Sequence, residues 1–301
     1  MSNLALLVLC FALGIALRRT GRLPEGAPAA LNAVIINVAL PALALAYIRD
    51  IEMTPALAQA VMASWLMFGL AVVFFCLAAR TWGMSRETTG ALILTAGLAN
   101  TSFVGLPMIE AFFGRHGLGL GLVIDQLGSY LILATFGILV ASVFSGAAFD
   151  ARRVVHKVLT FPPLWAIAAA FALRPFEYPE WLNVLLHRLG DMVAPLALLS
   201  VGCQLRLAEI NGNAAKLGLG LAFKLVIAPL ALAALLIGAL EADGEAVRIT
   251  LFEAAMPPMI GAAIVAMEHK LDPPLITLMV GLGIPLSFVT LPVWHAVLAR
   301  L

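Results

Sequence analysis

Charge is scarce in this sequence. Only 12% of its 301 residues are charged, whereas 62% are hydrophobic and the mean hydropathy is +1.03. An ordinary soluble domain carries about 25% charged residues, so this composition excludes an ordinary soluble domain. The net charge is only +1, and the sequence has no basic stripe that could neutralise phosphates, which excludes nucleic acid as a partner. The composition therefore predicts an integral membrane protein whose surroundings are the lipid bilayer.

Cysteine and catalytic motifs are equally sparse. Cys10, Cys76 and Cys203 each lie in an apolar run without a CxxC pair, which excludes a disulfide framework. The five histidines are scattered, and their spacing predicts no metal site. An intramembrane enzyme would need an HExxH motif, a pair of catalytic aspartates or a Ser/His pair, and the sequence has none of these. We therefore expect neither an enzyme nor a cofactor.

Long apolar runs are what the sequence does contain. A bilayer core about 30 Å thick needs about 20 apolar residues per helix. The first run is followed, not preceded, by arginines, so it is expected to be a retained helix and not a signal peptide. The pattern predicts an all-α membrane protein with ten transmembrane helices, near residues 3–18, 29–48, 56–79, 87–113, 118–145, 157–174, 182–205, 214–240, 246–268 and 273–299.

Basic residues are distributed unevenly over the joints between these runs. Cytoplasmic joints carry the excess of Lys and Arg in membrane proteins. Alternate joints, beginning after the first run, hold Arg18, Arg19, Arg22, Arg80, Arg86, Arg152, Arg153, Lys157, Arg206, Lys216 and Lys270. The other joints hold only Arg49, Arg115, Arg174, Arg188, Arg248 and Arg300. This predicts a multi-pass membrane protein with both termini outside the cytoplasm, which for a bacterial inner membrane means the periplasm.

The most basic joint, which holds Arg152, Arg153 and Lys157, divides the ten runs into two groups of five. An odd number of spans per half inserts the second half upside down relative to the first. Segments 37–46 and 191–200 align with Pro41 on Pro195, and 95–107 aligns with 252–264. We therefore expect a first five-helix repeat over 1–145, a cytoplasmic joint over 146–156, and an inverted repeat over 157–301.

The fourth and ninth runs are interrupted by polar residues and prolines at related places. Helices broken within a membrane expose N–H groups at one end, which suit an anion, and carbonyl groups at the other, which suit a cation. The alternative is a pair of proline kinks patched by Ser and Thr side chains. The interruptions predict a substrate site formed by Asn100, Thr101, Ser102, Pro107, Met256, Pro257 and Pro258.

Several further polar residues lie inside the apolar runs, where they are costly unless they face a partner or a cavity. The candidates for binding a coupling ion, H⁺ or Na⁺, are Asp125, Asp191, Asn37 and Gln126. Both aspartates are expected to lack an opposite charge, and the alternative is a helix-to-helix hydrogen bond. Lys224 is expected to snorkel towards the membrane surface. With no arginine near either break, neutral donors and helix dipoles are expected to hold a substrate carboxylate.

Three stretches resemble the auxin efflux carrier family: "LANTSFVGLPMIEAFFG", "LALLSVGCQL" and "FEAAMPPMIGAAIVAMEHKLDPPLITLMVGLGIPLSFVTLPVW". Bacterial members of that family are often labelled malate or malonate permeases. The resemblance implies two inverted five-helix repeats whose broken helices 4 and 9 cross at the substrate site, similar to bile-acid sodium symporters. Asn100 matches an asparagine of the plant relatives, whereas Ala255 and Met256 stand where those relatives tend to have another asparagine.

The resemblance implies a secondary transporter for a small organic anion, such as malonate, malate or an auxin-like acid, working by elevator-type alternating access. It leaves a homodimer open. Two other functions remain alternatives. One is a sodium/proton exchanger of the same crossed-helix architecture with Asp125 and Asp191 as ion carriers. The other is a membrane receptor that binds a small acid without moving it.

Overall fold

A computed structural model describes residues 2–49, 51, 54–205 and 212–300. Every regular element among these residues is helical, and no strand occurs in them, which confirms the all-α prediction for this part of the chain. Arg206, which was counted with the basic joints, and the C-terminal Leu301 lie outside the described residues.

The helices follow the apolar runs along the chain. Six of the helices are long and apolar enough to cross a membrane: Ala27–Tyr47, Pro55–Trp82, Arg115–Ser145, Glu180–Gln204, Ala214–Ala239 and Pro273–Leu298. The helices are α1 Ser2–Arg19, α2 Ala27–Tyr47, α3 Pro55–Trp82, α4 Arg86–Gly97, α5 Thr101–Phe112, α6 Arg115–Ser145, α7 Ala151–Leu159, α8 Pro162–Ala172, α9 Glu180–Gln204, α10 Ala214–Ala239, α11 Glu245–Ala254, α12 Ile260–Glu268 and α13 Pro273–Leu298.

The chain forms two compact units that do not coincide with its two halves. The first unit comprises residues 1–54, 101–126 and 159–205. The second comprises residues 55–100, 127–158 and 206–301. Each unit takes residues from both predicted repeats, so compactness and sequence repetition divide this chain differently.

In the first unit, α1 packs closely against the C-terminal part of α9. A Cβ atom at Gly14 would overlap the backbone carbonyl oxygen of Leu199, and one at Gly202 would overlap that of Phe11. Only glycine allows two helix backbones to approach this closely, as is common between membrane helices. The Cys203 thiol is buried and donates to the carbonyl of Gly14 at 3.3 Å, so this cysteine is a packing residue.

In the second unit, α4 is buried along nearly its whole length. Ser85 caps its start by accepting a hydrogen bond from the backbone N–H of Thr88, and residues 88–97 are all buried. A helix that is buried on every side needs neighbours that cover all of its faces. The chain leaves the helical conformation at Leu98, whose backbone is extended.

Helix α7 begins inside the joint predicted over 146–156 and extends beyond it to Leu159, although the joint was expected only as a connection. The chain then turns at residues 160–161 and enters α8 at Pro162, later than the predicted start of the sixth run. Proline suits the first turn of a helix because its missing N–H would have no partner there.

Candidate functional site

The segments that separate α4 from α5 and α11 from α12 pair with each other as a short antiparallel bridge. The Asn100 N–H donates to the carbonyl of Pro257 at 2.9 Å, and the Met259 N–H donates to the carbonyl of Leu98 at 3.2 Å. Proline cannot donate a backbone hydrogen bond, so Pro257 can take part only through its carbonyl. The two interruptions therefore supply each other's missing backbone partners within the second unit. We call this pairing the Asn100–Pro257 bridge.

Three helix ends surround the Asn100–Pro257 bridge. Helix α4 ends at Gly97 and α11 ends at Ala254, so both direct carbonyl groups towards it. Helix α12 begins at Ile260, after an extended Met259 that provides no side-chain cap. The first N–H groups of α12 have no acceptor within the helix, and they carry the positive end of its dipole. This end of α12 can accept an anion.

Lys224 belongs to α10, and its side chain reaches the end of α11. Its side chain is 0% exposed, and Nζ donates to the carbonyl of Ala254 at 2.9 Å while lying 3.8 Å from Sδ of Met67. Ala254 is the last residue of α11, so the ammonium occupies the negative end of that helix dipole. Glu253 supplies a neighbouring negative charge. A cation is thus built into the interior beside the break.

One expectation about this region is wrong. Lys224 does not snorkel, because its ammonium finds a carbonyl, a thioether and a carboxylate inside the second unit. The lysine amine lies at the end of α11, beside one of the two breaks, and the holding of a substrate carboxylate by neutral donors stays a prediction. Sequence order separates the lysine from the break, and only packing brings them together.

The first unit contains a second polar cluster, centred on Asp125. Its side chain is fully buried and accepts three hydrogen bonds at 2.5 Å, two on Oδ1 and one on Oδ2. The donors are the hydroxyls of Thr101 and Ser102 and the side-chain amide of Gln126. All three are neutral, so nothing in this cluster cancels a carboxylate charge. A buried carboxylate of this kind either takes up a proton or binds a cation.

Gln126 carries an unused acceptor beside this carboxylate. Its Oε1 atom is buried and has no hydrogen-bond partner among the described residues. A half-turn of the amide would present Oε1 instead of Nε2 to Asp125, and Oε1 could then accept a hydrogen bond from a protonated carboxyl. The cluster can therefore satisfy both charge states of Asp125.

Asp191 and Asn37 have other surroundings. Asp191 lies at a turn within α9, its side chain is 41% exposed, and it pairs with Arg115 at 3.1 Å. The expectation that Asp191 lacks an opposite charge is therefore wrong: the two residues are distant in sequence but meet in the fold. Asn37 is exposed and donates to the carbonyl of Ala33 on its own helix at 2.8 Å. Their role in ion coupling stays a prediction.

The predicted substrate residues fall into three groups. Asn100, Met256, Pro257 and Pro258 lie together at the bridge in the second unit. Thr101 and Ser102 belong to the Asp125 cluster in the first unit. Pro107 lies one turn further along α5, where it lines a small cavity of about 10 Å³ with Glu110 and Asp191.

A feature that sequence reasoning missed connects these polar residues. Asn37, Thr101, Asp125 and Lys224 each lie in a π-helical turn, within Ile35–Ala39, Thr101–Gly105, Ile124–Tyr130 and Phe223–Ile227 respectively. A π-helical turn inserts an extra residue into a helix and is frequent at functional sites. A polar residue within an apolar run, close to glycine or proline, is the signal that could have located them.

Charged and polar side chains held inside apolar helices, with helix breaks that pair in the interior, define an integral membrane protein built around an internal polar site. The family model of the membrane transport proteins matches residues 1–295. The chain belongs to this family, which confirms the resemblance to the auxin efflux carriers.

Two relatives are transporters from archaea. An uncharacterized transporter of Methanothermobacter thermautotrophicus is 30% identical, and the match covers 98% of this chain and 97% of that protein. An uncharacterized transporter of Methanocaldococcus jannaschii is 23% identical, and the match covers 75% of this chain and 74% of that protein. The match to the first relative extends over both compact units.

Proposed function

We propose that this protein is a secondary transporter that moves a small organic anion, such as malonate, malate or an auxin-like acid, across the membrane. The observation that carries the proposal is the Asn100–Pro257 bridge, which holds two helix breaks open against each other in a buried setting. Broken helices that offer their ends to a solute are the usual binding device of secondary transporters.

The anion is proposed to bind in the second unit, at the start of α12. The uncapped N–H groups there offer hydrogen bonds and the positive end of a dipole. The buried amide of Asn100 and the charge of Lys224 add to this positive character. Because Lys224 is balanced by Glu253, the site favours an anion without requiring a permanently bound one.

The coupling ion is proposed to bind at Asp125 in the first unit. Its carboxylate, two hydroxyls and a side-chain amide are hard oxygen and nitrogen groups that suit a proton or Na⁺ and not a soft metal. The peptide bond between Asn100 and Thr101 joins this cluster to the bridge along the chain. Occupancy of Asp125 can therefore bias the conformation of the break.

The proposal includes the membrane arrangement expected from the sequence. It comprises ten spans in two inverted repeats, crossed breaks in the fourth and ninth spans, and periplasmic termini in a bacterial inner membrane. The second unit is separately compact and contains the proposed anion site, so it can move as a body in an elevator mechanism.

Uptake into proteoliposomes tests the function. Purified protein is reconstituted and supplied with radiolabelled malonate, malate or indole acetate, with no gradient, with an imposed proton gradient, and with an imposed Na⁺ gradient. We expect accumulation of at least one acid, increased by one of the two gradients. Cation exchange without acid movement would instead identify the exchanger, and saturable binding without uptake would identify a receptor.

A further inference from the structure

Helix α7, Ala151–Leu159, has two chemically opposite sides. Successive residues of a helix are rotated by about 100°, so residues three and four apart share a side. Val154, Val155, Val158 and Leu159 fall on one side of α7, and the basic residues fall on the other. A short helix with an apolar side and a basic side is typical of a segment that lies in the membrane surface.

Burial divides the apolar side of α7 into two strips. Val154 is 8% exposed and lies buried within the second unit. Val155 is 55% exposed and Leu159 is 57% exposed, and both point away from the protein. The preceding Phe149 is 44% exposed as well. In a protein that crosses a membrane, lipid lies next to every span, so we expect lipid to contact this exposed apolar strip.

The basic residues flank this exposed apolar strip. Arg152, His156 and Lys157 are all exposed, and the acidic Asp150 precedes the helix, where a negative charge suits the helix N-terminus. Two residues after α7 ends, the chain enters the apolar helix α8 at Pro162. Pro162 lies near the start of the sixth span expected from the sequence, so the basic groups are expected at the depth of the lipid headgroups.

We propose that α7 is an interfacial helix that inserts Val155 and Leu159 among the acyl chains and binds anionic phospholipid headgroups through Arg152 and Lys157. Lysines and arginines near an anionic membrane surface are attracted to its headgroups. The inner side of α7 also borders a cavity of about 810 Å³ in the second unit, which Val154 and Lys157 line together with Glu87 and His269. Lipid bound to α7 would thus fix one wall of this cavity. The inference requires a membrane-spanning chain but not a particular substrate.

The depth of α7 is measured by spin labelling. A cysteine-free background with Cys10→Ser, Cys76→Ser and Cys203→Ala receives either Val155→Cys or His156→Cys, and the labelled full-length protein is reconstituted into vesicles. We expect the label at 155 to collide more with oxygen, which concentrates in lipid, than with a water-soluble nickel complex. The label at 156 should show the reverse preference. Equal access of the nickel complex to both labels would overturn the proposal.

The preference for anionic lipid is measured by native mass spectrometry on protein from vesicles of equal phosphatidylglycerol and phosphatidylcholine. Arg152→Gln with Lys157→Gln should lower the ratio of retained phosphatidylglycerol to phosphatidylcholine at least about threefold. Arg80→Gln with Lys216→Gln removes the same charge from other joints expected on the same side and should leave the ratio unchanged. An equal ratio in wild type and both variants, or an equal fall in both variants, would show that α7 has no specific role.

Discussion

Asn100 takes part in its bridge through its backbone N–H, so a change of its side chain leaves that hydrogen bond in place. Asn100→Ala should therefore preserve the bridge and weaken the binding of a small dicarboxylate by about 1 to 3 kcal/mol, the cost of a lost buried hydrogen bond. Asn100→Asp should weaken it further, because it places a negative charge against the anion. Isothermal titration of detergent-solubilised protein measures both.

Asn183→Ala is the matched control for Asn100, since Asn183 is exposed on α9. It should bind the acid with wild-type affinity. If all three variants bind the acid as tightly as the wild type, the anion site lies elsewhere.

Asp125 and Asp191 were both predicted to bind the coupling ion, and their different surroundings allow one to serve as the control for the other. Asp125→Asn keeps the shape of the buried cluster but removes its exchangeable charge, so it should abolish the stimulation of uptake by a proton or Na⁺ gradient. Asp191→Asn removes an exposed ion pair with Arg115, which contributes about 0 to 1 kcal/mol, and should leave this stimulation intact.

Comparison of gradient-driven and gradient-free uptake in proteoliposomes checks the aspartate prediction. Normal stimulation in Asp125→Asn would mean that this carboxylate does not couple transport, and uniport would become the better account.

Lys224 tests how the second unit tolerates a buried charge. Lys224→Met leaves the Glu253 carboxylate without its neighbouring cation, and removing one member of a buried pair costs about 3 to 5 kcal/mol. The thermal midpoint of unfolding should fall clearly. The double variant Lys224→Met with Glu253→Gln removes both charges and should recover most of that loss. A double variant as unstable as Lys224→Met would show that the two charges do not balance each other.

At the scale of the element, the shape of the Asn100–Pro257 bridge depends on a glycine in α13. A Cβ atom at Gly283 would lie 2.6 Å from Cδ of Pro258, too close for either to remain in place. Gly283→Ala should therefore displace the bridge and reduce both acid binding and uptake.

Gly69→Ala is the control for this substitution. Gly69 also lies within a long helix, α3, but apart from its chain neighbours and the backbone of its own helix, no atom of the described residues lies within 4 Å of a Cβ built there. Replacing such a glycine by alanine stabilises a helix by about 0.4 to 1 kcal/mol, so uptake should persist and the thermal midpoint should rise slightly. Equal uptake activity of the two variants would show that transport does not depend on the position of Pro258.

The interruptions themselves could be placed from the sequence, because Pro257, Pro258 and the glycines around Asn100 are incompatible with a regular helix. The sequence could not predict which segment pairs with each interruption. Hydrogen-bond pairing between segments so distant along the chain depends on how whole helices pack, which local sequence does not encode. Helix α7 was missed for a different reason: about two and a half turns between two spans read as a connection.

At the scale of the whole molecule, orientation is the most direct prediction. The excess of basic residues in alternate joints predicts that both termini lie in the periplasm. Alkaline phosphatase fused after Leu301 should be active, because this enzyme matures only outside the cytoplasm, and the same enzyme inserted between Ala147 and Ala148 should be inactive. The opposite pattern of activity would reverse the predicted topology.

By itself, the sequence determined the membrane environment, the helical class, the transporter family and the positions of the two breaks. Each of these depends on local composition, on periodicity or on residues that restrict their own backbone. The tertiary structure alone decided that Lys224 reaches the end of α11, that Asp191 meets Arg115, and that Thr101, Ser102 and Gln126 surround Asp125. A charge in an apolar run must find a partner, but which partner depends on the packing of helices far apart in the chain.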